Sequence, residues 1–374
     1  MKDCKILVIN SGSSSVKYRL FDIRPHHKKT ESFYQLLQKG LIEKIGQKGS
    51  AVKNHKDGIR LLLQELVTGK NAPLKSLAEI SAIGHRVVHG GVQFKRPTVI
   101  NKAVVDKIKE CIALAPLHNP ANLAGILACQ ELLPRVTQVA VFDTAFHQSL
   151  PPHAYIYGLP YEYYEKYGLR KFGFHGTSHH YVAQEASKIL KRSLHTLNLI
   201  TCHLGNGCSI TAIKNGKSVD TSMGFTPLEG LVMGTRCGDI DPASVIFLSA
   251  KEKISLHEID HVLNYHSGLK GISGLTNDMR EIKRAARRGH RRARLALDIY
   301  TTRIKKYIGA YAALLGRVDA LVFTAGIGEN EREIRTRITK GLFGLLNRRT
   351  TKVLVIPTNE ELMIAKQAFH LLNA

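Results

Sequence analysis

Residues 6–9 (ILVI) form an apolar run that enters Asn10, Ser11, Gly12, Ser13, Ser14 and Ser15, after which Val16, Tyr18 and Leu20 alternate with Lys17 and Arg19. Period-two alternation beyond a glycine turn predicts two strands joined at that turn. The plan returns at residues 197–220: the apolar LNLITCHL, the turn GNG, the strand CSITAIK and a hairpin at Asn215 and Gly216. One such unit in each half predicts an internal duplication. A third apolar strand, 321–324, enters AGIGEN, which reads as another glycine turn, and VLVI (353–356) then predicts a strand before a closing helix capped by Asn359.

Between these landmarks the spacing predicts helices over 59–67, 101–114 and 120–133, the last opened by Asn119 as cap and Pro120 as first-turn proline. AIGHRVVHGG (82–91) and VTQVAVFDTAFH (136–147) read as buried strands, the second running into polar residues at the end where α/β sheets place ligands. Proline and tyrosine crowd residues 151–167, a domain junction.

Composition narrows the class. A chain of 374 residues, 44% hydrophobic and 22% charged, predicts two globular domains. No apolar run reaches membrane-spanning length and the N-terminus is too short and polar for a signal peptide, so a cytoplasmic protein is expected. The six cysteines contain no C-x-x-C pair and read as reduced thiols; Cys202, His203 and Cys208 lack the second ligand pair that zinc requires.

The net charge is +24, and between Arg280 and Lys306 eleven Lys or Arg face only Glu281 and Asp298. Ile282, Ala285, Ala286, Ala293, Ala296, Leu297, Tyr300, Ile304 and Ile308 recur there at helical spacing, so the basic residues read as a solvated helix face. Aromatics are not interleaved with them, and no nucleic-acid partner is expected.

The serine-rich turn at 10–15 fits either a plain hairpin or close approach by an oxyanion, with Lys17 supplying charge. It is not a P-loop, because residues 16–20 alternate as a strand instead of opening a helix. His85 and His89 fall in a strand pattern without the glutamate of a metalloprotease helix. Asp241 before Pro242 reads as a helix cap, and His179 and His180 as structural residues at a helix start.

Nine stretches then match one family in order: VINSGSSSVKY, GHRVVHGG, LAPLHNP, FDTAFH, FGFHGTSH, HLGNG, DTSMGFTPLEGLVMGTRCGDIDP, FTAGIGEN and IPTNEEL. The chain resembles the acetate kinases, within the superfamily that joins acetate and sugar kinases, heat-shock chaperone ATPases and actin. The resemblance implies an α/β fold of two duplicated ribonuclease-H-like domains with the active site in the interdomain cleft. Their expected extents are 1–148 plus 361–374, completed by the C-terminal helix, and 149–360, which binds nucleotide. It implies reversible phosphoryl transfer from ATP to acetate, giving acetyl phosphate and ADP with magnesium, manganese being the alternative, and a homodimer. By matching position it implies catalytic roles for Arg86, Asp143, His175 and Arg236 and an acyl pocket of Arg86, Val88, Leu117, Phe174 and Pro227. Asn10 and Glu360 fall at the metal. Lys17, His203, Leu204, Gly205, Asn206, Gly207, Asp278, Met279, Arg280, Gly326, Ile327, Gly328, Glu329 and Asn330 fall around the nucleotide. The chain is shorter than many members near 24–40 and 345–352, and more basic.

Elementary chemistry agrees with such a site. A carboxylate nucleophile with a pKa of about 4 is ionised at neutral pH and needs no general base. Stabilising charge on the transferred phosphoryl group is work for arginines, a histidine and a metal, so Asp143 is read as orienting an arginine or metal-bound water. The alternatives are a propionate-preferring kinase, since one methylene is worth only about 1–3 kcal/mol in an apolar pocket, and a nonenzymatic actin-like or chaperone-like ATPase.

Overall fold

A computed structural model describes residues 3–25, 33–347 and 349–373; of the two shortened stretches, residues 26–32 and 348 lie outside it. The chain divides into two compact units, one running to Phe146 and resuming at Asn359, the other His147–Thr358. Where the sequence reading draws the line after 148 and before 361, local contacts draw it slightly earlier. The His147 ring meets Ser218 Oγ at 2.9 Å and the Phe174 carbonyl at 3.0 Å within the second unit, and Asn359 Oδ1 accepts from Leu362 N at 3.1 Å as the cap of the C-terminal helix.

In the first unit the strands are β1 (Cys4–Ser11), β2 (Val16–Arg24), β3 (Phe33–Ile42), β4 (Ile80–Val87), β5 (Thr98–Val99) and β6 (Thr137–Phe142), in the order β3-β2-β1-β4-β6-β5. β1, β2 and β3 are antiparallel neighbours, and β4 and β6 run parallel to β1. The alternation in β1 decides which helix covers which face. Leu7 and Ile9 join Ile59, Leu62 and Leu66 of the His55–Val67 helix, whereas Ile6 and Val8 join Ile364, Ala365, Ala368 and Phe369 of the C-terminal helix Glu360–Leu372. Each of these fully buried Leu, Ile or Phe side chains contributes about 1.5–3 kcal/mol.

The C-terminal helix lies so close to β4 that a Cβ at Gly84 would stand 2.7 Å from Ile364 Cγ2. Gly84→Ala is expected to lower stability by about 1–3 kcal/mol through overpacking, read as a lower urea midpoint; an unchanged midpoint would mean that the helix gives way freely.

In the second unit β7 (Asn198–Leu204), β8 (Cys208–Lys214), β9 (Lys217–Thr221), β10 (Ala320–Thr324) and β11 (Lys352–Val355) take the order β11-β10-β7-β8-β9. β7, β8 and β9 are antiparallel neighbours, and β10 and β11 run parallel to β7. The pattern β3-β2-β1-β4-β6 is thus used twice.

Two elements depart from expectation. AGIGEN is a short helix, Ala325–Asn330, not an open turn, because the Glu329 carboxylate accepts from Ala325 N at 2.8 Å and Thr358 N at 3.0 Å and folds the segment back. The basic segment forms two helices, Met279–Arg287 and Arg291–Leu315, broken at Gly289 (φ +94°) with the His290 ring capping the second through Ala293 N. Its apolar stripe is buried, and Arg287, Arg288 and Arg291 are exposed.

Candidate active site

β4 and β6 are adjacent and parallel, so Arg86 and Asp143 emerge together at their C-terminal ends. Arg86 Nε donates to both Asp143 carboxylate oxygens at 3.1 Å and its Nη2 donates to Oδ2 at 2.6 Å, a fork-to-carboxylate pair. Burial works against the Arg86 charge, but Asp143 and Glu360, the latter 3.9 Å away, more than offset it and hold the guanidinium above its ordinary value. Glu360 opens the C-terminal helix. Burial pushes its carboxyl above the usual range, with Asp143 and Glu361 adding to the rise and Arg86 and Lys17 opposing it.

Lys17, expected near the nucleotide, lies in β2 with its ammonium 2.6 Å from the buried Glu361, whose other oxygen is 3.4 Å from Arg19 Nε. Asn10, the last residue but one of β1, pairs with Lys17. Asn122, which the sequence reading did not single out, ties this corner together: its Nδ2 donates to the Ser11 carbonyl at 2.7 Å and its Oδ1 accepts from Val88 N at 3.0 Å. Val88 is buried, whereas Leu117 is 44% exposed. His85 is buried on Gln138 and burial pushes its imidazole down to about 4, so it packs as a neutral core residue.

Could this corner hold a divalent cation? Glu360 and Asn10 offer hard oxygens, and the Glu360 carboxyl, raised chiefly by burial, has Asp143 and Glu361 as acidic neighbours. No group of three or more His, Cys, Asp or Glu placed to hold a metal exists among the described residues. A donor set this small suits magnesium, which keeps waters and substrate phosphates as ligands, and not an all-protein cage.

In the second unit His175 caps the Gly176–Leu190 helix in a left-handed conformation (φ +55°), a strained backbone for a non-glycine residue. Its ring stacks on His203 with centroids 4.2 Å apart, and His203 Nδ1 is 2.8 Å from Ser178 Oγ, itself 2.8 Å from Thr358 Oγ1. Arg236 meets the Pro227 carbonyl at 3.3 Å and Met233 Sδ at 3.9 Å, and among the described residues it has no carboxylate partner. Burial therefore pulls its guanidinium below the ordinary value, with only weak opposition from Cys208 and Tyr265. Both groups converge on Gly207, where a Cβ would lie 3.4 Å from His175 Nε2 and 3.5 Å from Arg236 Nη1. Phe174 is buried beside His175 in sequence, and Pro227 is half-buried.

The loop after β7 also lines a cavity of about 460 Å³, with Gly205, Asn206, Asp278, Arg280, Gly326 and Asn330 in its wall, within the usual range for small-ligand sites. Met279 and Ile327 line it too. Asp278 caps its helix and grips Arg280 Nη2 at 2.6 Å, and these bonds hold its carboxyl down at about 2. Glu329, expected at the nucleotide, spends a carboxylate oxygen on Ala325 N and Thr358 N. Gly328 packs under Phe323, Cys202 and Leu204 instead of lining the cavity.

The sequence reading leaves His179 structural and passes over Ser209 and Thr201, yet all three line up behind His175. A signal was present: Thr201 and His203 in β7, and Ser209 and Thr211 in β8, put polar residues at period two on strands otherwise apolar and buried except at their ends, Asn198 and the exposed Lys214.

One strand order used twice, with two successive antiparallel pairings on one side of the first strand and two parallel pairings on the other, defines the duplicated ribonuclease-H-like class. Residues 5–345 match the model of the Acetokinase family, and the chain belongs to that family. It is 52% identical to an acetate kinase of Treponema denticola, over 99% of this chain and 100% of the relative. Among solved structures it is similar to Porphyromonas gingivalis acetate kinase (TM-score 0.91, 42% identity, 99% of this chain and 100% of that one). It is likewise similar to a propionate kinase from Francisella tularensis (TM-score 0.85, 44% identity, 97% and 98% covered).

Proposed function

We propose that the protein is an acetate kinase, transferring the γ-phosphoryl group of ATP reversibly to acetate to give acetyl phosphate and ADP. The observation that carries the reading is Arg236: a largely buried guanidinium with no carboxylate partner among the described residues, converging with His175 on a glycine. Uncompensated buried charge is costly in a free protein and suits one that receives an anion.

The acetate carboxylate attacks the γ-phosphorus. A new O–P bond forms, the bond to the β–γ bridging oxygen breaks, and ADP leaves with its electron pair. No proton moves, because the acid is already ionised. Arg86, held square by Asp143, takes the acid's oxygens and the incoming phosphoryl edge, while His175 and Arg236 meet the equatorial oxygens as charge spreads over them. The cavity walled by Asn206, Asp278 and Gly326 takes the nucleoside, and Val88 and Leu117 of the first unit and Phe174 and Pro227 of the second are the residues that the family resemblance assigns to the methyl group. A magnesium ion on Glu360 and Asn10 would neutralise phosphate charge.

The exposed Ile246 and Phe247 of the Ala243–Glu252 helix, with the nearby Leu256, form an apolar face that supports a homodimer reading. Six cysteines with no C-x-x-C pair among them support a reducing, cytoplasmic setting.

The likeness to a propionate kinase favours a second reading, preference for the longer acid, which one methylene separates by only about 1–3 kcal/mol. Hydroxylamine trapping with ATP, magnesium and acetate, propionate or butyrate in turn is expected to give most hydroxamate from acetate. A larger kcat/KM for propionate would exchange the two readings, and no hydroxamate from any acid would reject both.

A further inference from the structure

We infer that Ser209, backed by His179 and Thr201, is a positioning residue that presents the Nε2–H of neutral His175 as a hydrogen-bond donor. The inference rests on the phosphoryl-transfer reading of His175. Ser209 is fully buried in β8, with its Oγ 2.9 Å from His175 Nδ1 and 2.7 Å from His179 Nε2. His179, also fully buried, has its Nδ1 2.7 Å from Thr201 Oγ1 in β7. A single line of hydrogen bonds therefore runs from Thr201 through His179 and Ser209 to His175.

Each link holds one proton, so fixing one end fixes the other. The Thr201 hydroxyl has two acceptors in reach: His179 Nδ1 at 2.7 Å and the Thr211 carbonyl at 3.5 Å, the outer limit of a hydrogen bond. Assigning the proton to the shorter contact makes Thr201 the donor to His179 Nδ1. Burial, helped by the neighbouring His147 and His203, holds the His179 imidazole well below its ordinary range, so it stays neutral with a single N–H. With Nδ1 accepting, that N–H is on Nε2 and donates to Ser209. Ser209 in turn donates to His175 Nδ1, which leaves the proton of neutral His175 on Nε2.

The Cε1–Nε2 edge of His175 is the one that faces Gly207, each atom 3.4 Å from where a Cβ would stand, with Arg236 Nη1 at 3.5 Å. A donor there favours a phosphoryl oxygen, whereas the other tautomer would turn a lone pair on it. The relay thus makes His175 useful without charging it, and Thr201 and His179 act only through Ser209.

The test is ¹⁵N NMR of the full-length protein labelled at histidine, at alkaline pH where imidazoles are neutral, with His175 assigned by the loss of its signals in His175→Asn. His175 is expected to show a protonated Nε2 and a bare Nδ1. Ser209→Ala is expected to mix the two tautomers and lower kcat about 10- to 100-fold with KM for ATP nearly unchanged. Thr201→Val is expected to do the same more weakly, and Thr201→Ser, which keeps the hydroxyl, to behave as wild type. A wild-type proton on Nδ1 would overturn the inference. So would folded Ser209→Ala and Thr201→Val proteins with an unchanged tautomer, whatever their rates. Absence of acyl phosphate from the wild-type enzyme, with the expected tautomer present, would instead reject the phosphoryl-transfer reading and leave the relay standing as a property of His175.

Discussion

Arg236→Ala is expected to cut kcat by about 10²- to 10⁵-fold, the range of transition-state donors to a transferring phosphoryl group, while stability stays level or rises. The two halves of that expectation have one cause. Arg236 carries a charge that burial disfavours and no described carboxylate repays, so removing it relieves the fold even as it disarms the reaction. A structural arginine would behave the other way, losing stability first. Steady-state kinetics beside urea denaturation separates the cases, and an unchanged rate would remove Arg236 from the mechanism. His175→Ala is expected to fall in the same range, but its φ of +55° makes alanine strain the backbone. Asparagine, which tolerates that conformation, is the cleaner replacement.

Asp143→Asn is expected to lower kcat/KM for acetate about 10²- to 10³-fold, comparable to the loss of one transition-state donor, without removing any ionisation near neutrality from the pH profile. Asparagine keeps one acceptor oxygen but not the paired ones that hold Nε and Nη2 of Arg86, so the guanidinium loses its orientation. Asp143→Ala goes further. Arg86 is then left with Glu360 at 3.9 Å, and breaking a buried pair on one side costs about 3–5 kcal/mol. If the wild-type profile shows a limb near neutrality that Asp143→Asn abolishes, Asp143 is an acid or base in its own right and the orienting role fails.

Much of this protein is legible along the chain. β1, β4, β6, β7, β8 and β10 announce themselves because each is largely buried and apolar on its own, β2 because Val16, Tyr18 and Leu20 alternate with charged residues, and the stripe from Ile282 to Ile308 because helical spacing survives the break at Gly289. β3 does not, since FYQLLQKGLI is largely exposed and exists as a strand through its pairing with β2. AGIGEN misleads for the complementary reason: its glycines suggest an open turn, and the Glu329 carboxylate, bonding to Thr358 far along the chain, winds it into helix. The sequence points to Lys17 as a cation but cannot show that Glu361 holds it.

The sequence by itself determined the duplicated strand plan, the family, and the residue types on which the chemistry rests, because burial of alternating apolar positions and small residues at turns are local properties of a chain. Tertiary structure alone decided which charges are balanced. Arg86 has a carboxylate and Arg236 has none among the described residues, a difference set by what β6 and the loop after β9 happen to carry into reach. It also decided the proton on His175, because a tautomer depends on hydrogen bonds from strands that meet only when β7 and β8 pair. Those partners act over about 3 Å, a distance that separation along the chain does not encode.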